Sequence, residues 1–404
     1  MKGLSSKLEG LISTLIHGDL QLTLNCQTVK KLKRLFNLFK HYDIYSEMEI
    51  IVINIVTEHP EYIVCPNYEE LVTKLVKKEV AYKDVTEQDI KTCLHNLNLE
   101  RCCPSYPSTQ HISEDHIKYL ENKPQPGQHT PEWYTFRHSH ITASNAWKAF
   151  GTQSSKNQLI YEKCKPIAEY NPETRHVSLS ETAMTWGHKY EPLTRMIYED
   201  INQTKIQDFG CIEHNEYSFL AASPDGIVVG QNNFGRMIEI KNVVSREITG
   251  VPKLDYYIQT LLQMEVCDLN ECDFVETKFT EFDSYTDFIN DMTDDRKGII
   301  MVYVCNGEYN YHYMPFDIKS EENINKWLDE NMHHQGEWIK NVYWKLNMYS
   351  CVLIKRKPEW FKYAIVQLNE IWQTICVERM GDYSARAPRK RNIKININKN
   401  DNIN

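Results

Sequence analysis

The amino-acid sequence predicts a mixed α/β protein: a central mixed β-sheet flanked by helices, with an added helical region at the N-terminal end. Two observations carry this reading. Strand-like and helix-like stretches alternate through the middle of the chain, a pattern of layered α/β domains rather than of a bundle or an all-β barrel. The 404 residues are 41% hydrophobic, enough for at least one well-buried core and for two or three domains.

Residues 1–125 are expected to form a mostly helical accessory region and linker. From Gln27, QTVKKLKRLFNLFKHY places Val29, Leu32, Leu35, Phe36 and Phe39 at helical spacing, with Lys30, Lys33 and Arg34 on other faces. A further helix is expected near Thr86, where TEQD has the form of a capping box. The stretches CCPSYPSTQ from Cys102 and ENKPQPGQHTP from Glu121 read as connecting segments around one short helix. The main domain is expected over residues 126–385. Residues 386–404, rich in Asn, Ile and Lys, read as a basic disordered tail in which Arg389, Lys390 and Arg391 are a localisation signal, a phosphate contact or simply solvated.

Composition excludes several classes. The longest apolar run, IIVINIV from Ile50, is far too short to cross a bilayer, and the first twenty residues lack the apolar stretch of a signal peptide, so a soluble, intracellular protein without membrane partners is expected. Twelve cysteines are scattered without a repeated C-x-x-C spacing; Cys102 with Cys103 and Cys267 with Cys272 read as reduced thiols rather than a zinc site. A net charge of −9 argues against non-specific coating of nucleic acid. The charge is uneven: residues 265–331 hold 17 acidic and 5 basic side chains, residues 333–400 hold 13 basic and 5 acidic, so any DNA contact is local.

The chemistry concentrates in FLAASPDGIVVGQNNFGRMIEIKNVV, from Phe219 to Val244. Two short β-rich runs flank a Gly/Asn-rich connection, the pattern of a hairpin with a longer loop. Glu239 and Lys241 are two apart and share one face of the second run, with Ile238 and Ile240 on the other. Asp225, between Pro224 and Gly226, stands where a turn can aim its carboxylate at Glu239. Two carboxylates held close repel each other unless they share a proton or a divalent cation, and a lysine beside them offsets charge on a phosphate under attack. A lone E-x-K is ordinarily a surface ion pair. His138 and His140 read as packing or DNA contacts, and Ser144 and Ser223, outside any G-x-S-x-G, as phosphate-binding hydroxyls rather than nucleophiles.

The D-x(13)-E-x-K arrangement resembles the signature of PD-(D/E)xK nucleases, and SPDG followed by IEIK resembles their lambda-exonuclease and YqaJ-type viral recombinase branch. Upstream, EWYTFRHSHITAS carries Trp133, Arg137 and Ser144 in the spacing W-x(3)-R-x(6)-S; WGHKYEP carries Glu191; downstream, YYIQTLLQMEV carries Gln259. The run MEVCDLNECDFVETKFTEF and the later YWKLNMYSCVLIKR are most similar to the version in large cytoplasmic DNA viruses. The resemblance implies a restriction-endonuclease-like core and a Mg²⁺- or Mn²⁺-dependent 5′ to 3′ exonuclease acting on double-stranded DNA ends in viral recombination, replication or repair. It implies Asp225, Glu239, Glu191 and the Ile240 carbonyl as metal ligands, with Lys241 positioning or activating water. Gln259 would hold the scissile strand or the terminal phosphate, and Arg137, Ser144 and Ser223 would bind the 5′-phosphate. A single-strand-annealing partner, a ring-like homotrimer and host-cytoplasmic replication sites are further implications. Pro192 either begins or kinks the helix beside Glu191, which leaves the direction of that carboxylate open, and Leu261 stands where relatives often carry a second glutamine. A structure-dependent endonuclease and a non-catalytic DNA-end-binding or annealing module are the alternatives.

Overall fold

A computed structural model of the protein describes residues 44–81, 85–104, 112–127, 130–167, 182–293, 296–305, 307–332 and 336–388. The helix expected from Gln27 and the basic triplet at Arg389 lie outside these. The chain forms two compact units, Met1–Cys103 and Pro104–Asn404.

In the first unit, α1 (Ile44–Glu58), α2 (Tyr68–Glu79) and α3 (Glu87–Asn96) pack together. They bury Met48 and Val52, Val72 and Val76, and Ile90 and Leu94 from their respective apolar stripes. The capping box expected at Thr86 is present: its hydroxyl accepts from the Asp89 amide, and the Asp89 carboxylate accepts from the Thr86 amide at 2.8 Å.

The second unit begins with α4 (Glu114–Glu121), α5 (Pro131–His138), strand β1 (Ile141–Thr142), the single-turn α6 (Ala143–Ala146) and α7 (Gln153–Cys164). The 20-residue α8 (Ala183–Asn202) follows. Short strands β2 (Ile206–Gln207), β3 (Ile212–Glu213), β4 (Leu220–Ala222) and β5 (Gly226–Val228) lead to β6 (Met237–Asn242), α9 (Leu254–Cys267) and β7 (Glu271–Phe282). The remainder is α10 (Tyr285–Asn290), β8 (Lys297–Cys305), β9 (Glu308–Tyr313), α11 (Glu321–Asn331), β10 (Glu337–Lys355) and α12 (Pro358–Arg379). Strands of the main sheet lie in the order β9-β8-β10-β7-β6-β5-β2, and a small sheet in the order β1-β4-β3. The β6–β7 pair is parallel and the other neighbours in the main sheet are antiparallel, giving the central mixed sheet that the sequence predicts.

Helices cover both faces, so β8 is apolar from Ile299 to Val304 instead of alternating. Along β8, Ile300 and Val302 meet Tyr190, Leu193 and Ile197 of α8. Ile299, Met301 and Tyr303 point the other way, toward Phe288 of α10 and Ile324 and Trp327 of α11. Ile201, near the end of α8, is exposed: the helix ends at Gln203 in a left-handed conformation and the chain turns away there. Pro192 neither begins α8 nor ends it. It sits inside, and the helix starts ten residues earlier at a Thr182 capping box.

None of the described cysteines is in a disulfide, and among the described residues no helix is long and apolar enough to cross a membrane. Part of the acidity of residues 265–331 is internal. Glu265 accepts from Arg356, Glu271 and Asp273 from the fully buried Arg236, Glu276 from Arg246, and Glu281 from Lys189. Cations from elsewhere in the chain neutralise these five, while Glu321, Glu322, Asp329 and Glu330 of α11 remain exposed.

Candidate active site

The chain crosses from the small sheet to the main one at Ser223–Pro224–Asp225, between β4 and β5. Gly226 is needed there, because a side chain at that position would collide with Ile206 of the neighbouring strand β2. Strand β5 pairs with β6 through Gly226 opposite Ile238, and then ends. Beyond it the free edge of β6 faces Asp225, whose Oδ2 accepts from the Ile240 amide at 2.7 Å. A strand residue's N–H and C=O point to the same side, so the Ile240 carbonyl also faces the Asp225 side. Ile238 and Ile240 pack with Tyr198, Val228 and Val275 behind the strand, as the period-2 pattern predicts.

Glu239 is completely buried. Its Oε1 accepts from the Lys241 ammonium and from Gln259 Nε2 at 2.6 Å; its Oε2 accepts from Gln263 Nε2 at 2.7 Å. The same Gln263 amide donates to the Ser223 carbonyl at 3.1 Å, tying the Asp225 turn to the Glu239 strand. Both contacts are acceptors, which fixes the orientation of the amide, and leaves its buried Oε1 with no hydrogen-bond partner among the described residues. Gln263 follows Gln259 by one turn, and helical spacing alone gives a polar stripe with no role attached to it. In the structure α9 is buried almost all round from Tyr257 to Cys267; Gln263 is interior, Gln259 is partly buried, and both direct their amides to Glu239. Their i, i+4 spacing was the available signal.

Glu191, half-buried on α8, joins this group from the adjacent element. Its helix is fastened to the sheet one turn on: the Thr194 and Thr277 hydroxyls both donate to Asn242 Oδ1 at 2.7 Å. Burial pushes the Asp225 carboxyl well above its usual range, with the Glu239 charge adding to it; burial and then Glu239 push Glu191 up too. Burial pulls Lys241 down, but Glu239 and Asp225 more than offset this, and its net shift is upward. Lys241 also lies 5.1 Å from the centre of the Tyr256 ring.

Among the described residues no three His, Cys, Asp or Glu side chains form a ready-made metal cage. The donors available are instead Asp225, Glu239, Glu191 and the Ile240 carbonyl. This oxygen set suits a hard cation that retains several waters, such as Mg²⁺ or Mn²⁺. The fit is shown by the carboxyls themselves, since Asp225 and Glu191 are each raised in part by the Glu239 charge, and a cation relieves that repulsion.

A stability prediction follows from the sign of these shifts. Carboxyls raised in the folded state favour folding at low pH and lose that contribution as pH rises through the raised values. Asp225→Asn removes the charge but keeps an acceptor for the Ile240 amide. Without metal at neutral pH it is expected to stabilise the protein by about 0.5–2 kcal/mol, read by thermal or urea unfolding. A destabilised variant would contradict this.

Arg137 and Ser144 are together: Arg137 Nη2 donates to Ser144 Oγ at 3.1 Å, and the guanidinium stacks on Trp133 at 4.7 Å. Ser223 is not hydrogen-bonded to this pair among the described residues; its recorded link is through its carbonyl to Gln263. His140 packs on Phe136 and is hydrogen-bonded to Glu213 at 2.9 Å, and His138 to the Lys165 carbonyl at 2.9 Å, so both are engaged in local packing.

Helix α8, the β5–β6 hairpin bearing two acids and a lysine, the crossover helix α9 and parallel strand β7 define a restriction-endonuclease-like core of the PD-(D/E)xK class. Residues 132–270 match the YqaJ-like viral recombinase domain. The chain is 28% identical over 352 residues to an uncharacterized protein of Acanthamoeba polyphaga mimivirus, covering 75% of this chain and 61% of that protein, less than two thirds of its length. Among solved structures it is similar to an alkaline exonuclease from Laribacter hongkongensis, with 19% identity, a TM-score of 0.37, and coverage of 62% of this chain and 95% of that one. A phage-related exonuclease from Haemophilus somnus gives 12% identity and a TM-score of 0.33, over 61% of this chain and 99% of that one.

Proposed function

We propose that this protein is a metal-dependent deoxyribonuclease that degrades double-stranded DNA from its ends in the 5′ to 3′ direction, in viral recombination, replication or repair. The observation that carries the reading is the meeting of Asp225, Glu239 and Lys241 at the free edge of β6, with Glu191 brought to them by α8. Asp225, Glu239, Glu191 and the Ile240 carbonyl would hold Mg²⁺ or Mn²⁺. When bound, the cation supplies Lewis-acid polarisation of the phosphate and favours formation of the nucleophile. Lys241, raised and therefore charged at neutral pH, can donate hydrogen bonds but not accept a proton, which supports positioning of water and neutralisation of developing charge over general-base action. Gln259 and Gln263 hold Glu239 in one orientation. Duplex ends are the proposed substrate; a single-strand-annealing protein, a ring-like trimer of this chain and host-cytoplasmic replication sites complete the proposal. Digestion of end-labelled linear duplex and of closed circular duplex, with and without Mg²⁺, tests it. Mg²⁺-dependent loss of the linear form alone is expected, and cutting of circles would favour an endonuclease.

Arg137, with Ser144 and Ser223, is proposed to bind the 5′-terminal phosphate. A terminal phosphate has more charge and more free acceptors than an internal diester, and an arginine fork grips it bidentately. Arg137→Ala is expected to lower the rate ratio of 5′-phosphorylated to 5′-hydroxyl duplexes by roughly tenfold or more, at about 1.5–3 kcal/mol per charge-assisted contact, while residual cutting persists. An undiminished ratio in the variant would move the pocket elsewhere.

A further inference from the structure

Behind Arg137 lies a second cationic layer that the sequence reading did not single out. Lys163, in the last turn of α7, is 6% exposed, and its Nζ donates to the Arg137 carbonyl at 2.6 Å. Arg379, at the end of α12, donates to the His138 carbonyl at 3.1 Å and to the Lys163 carbonyl at 2.7 Å. Lys163 and Arg379 thus both donate to carbonyls at the C-terminal end of α5, where the helix dipole favours positive charge. The nearest carboxylates are committed elsewhere: Glu162 accepts from Lys148 at 2.7 Å and Glu378 from Arg386 at 2.6 Å. Arg137, Lys163 and Arg379 therefore form a cluster whose neighbouring acids are paired with other cations. A positive cluster of this kind, next to an exposed serine hydroxyl, is built to receive an anion.

We propose that Lys163 is a positioning residue of the end-phosphate pocket, holding Arg137 from behind and taking up a proton when a terminal phosphate seats. The proposal rests on the reading of Arg137 given above. The groups facing Lys163 are Arg137 and His138 on α5, Glu162 on its own helix, Arg379 on α12 and the buried Cys211 thiol. Burial, and then the Arg137 charge, push Lys163 down to about 7. A phosphate dianion beside Arg137 offsets the second of these causes, the repulsion, and adds an attraction for the ammonium, so binding favours the protonated form. The sign is definite: above about pH 7 the empty pocket holds a neutral amine, and filling it consumes a proton. Binding of phosphorylated ends therefore weakens as pH rises, while binding of hydroxyl ends does not.

Calorimetry of the full chain with 5′-phosphorylated and 5′-hydroxyl duplexes tests this, in Ca²⁺ to limit turnover, near pH 8 in two buffers of unlike ionisation enthalpy. Close to one proton should be taken up with the phosphorylated end and far less with the hydroxyl end. Lys163→Met should abolish the uptake, and Lys163→Arg should retain the end preference but make it independent of pH. The wild-type measurement decides the matter even if a variant fails to fold. A wild type that prefers phosphorylated ends without proton uptake overturns the role of Lys163 and leaves the Arg137 pocket standing. A wild type with no end preference overturns the pocket and this proposal together.

Discussion

Asp225→Asn, Glu239→Gln and Lys241→Ala are each expected to lower duplex digestion by roughly a thousandfold or more while the protein stays folded. The three share one strand edge: Asp225 is pinned to the Ile240 amide, and Glu239 and Lys241 are paired with each other. Because they act as a unit, combining any two should add little to the loss from one. Far-ultraviolet circular dichroism and gel filtration establish folding, and initial rates on end-labelled duplex give the loss. A folded single variant with near-wild-type digestion would remove that residue from the mechanism. Lys241→Ala is the most informative, because it leaves Glu239 buried with Gln259 and Gln263 as its only named donors.

Removal of divalent metal is expected to have the other large effect, reducing digestion to background, with Mn²⁺ replacing Mg²⁺ and Ca²⁺ supporting binding with little turnover. The raised carboxyls add a pH signature. Asp225 and Glu191 must ionise to hold a cation, so protons and metal compete for them. Activity at fixed Mg²⁺ should fall as pH drops through their raised values, and more Mg²⁺ should move that falling limb to lower pH. Rate profiles at two Mg²⁺ concentrations check this; limbs that coincide would mean the titrating group is not a metal ligand.

The hairpin was legible because its signals are local. Alternation of Glu239, Ile240 and Lys241 sets the faces, and SPDG sets the turn before β5. The long-range parts were not. That β10 would insert between β8 and β7 depends on pairing between residues far apart, which no local period encodes. Gln263 looked like part of a solvated stripe because helical spacing shows which residues share a face, not what covers it. Lys163 and Arg379 are ordinary helix-terminal cations in sequence, and only the convergence of α5, α7 and α12 makes a cluster of them. The acidic stretch misled in the opposite direction, since Glu271, Asp273 and Glu276 look like surface charge until Arg236 and Arg246 are seen to fold onto them.

The position of β10 also bears on how this chain is made. By the time the ribosome has passed Phe282, every acid and amide of the hairpin and its crossover helix has been synthesised. The 12-residue β7 nevertheless lacks its outer neighbour until residues 337–355 emerge, because β10 supplies that pairing. During that interval an edge that is mostly buried in the finished fold stands open, the kind of edge that recruits other chains. Nascent protein is therefore most exposed to aggregation at a stage when its chemical groups are already complete, and chaperone demand should be concentrated in that window.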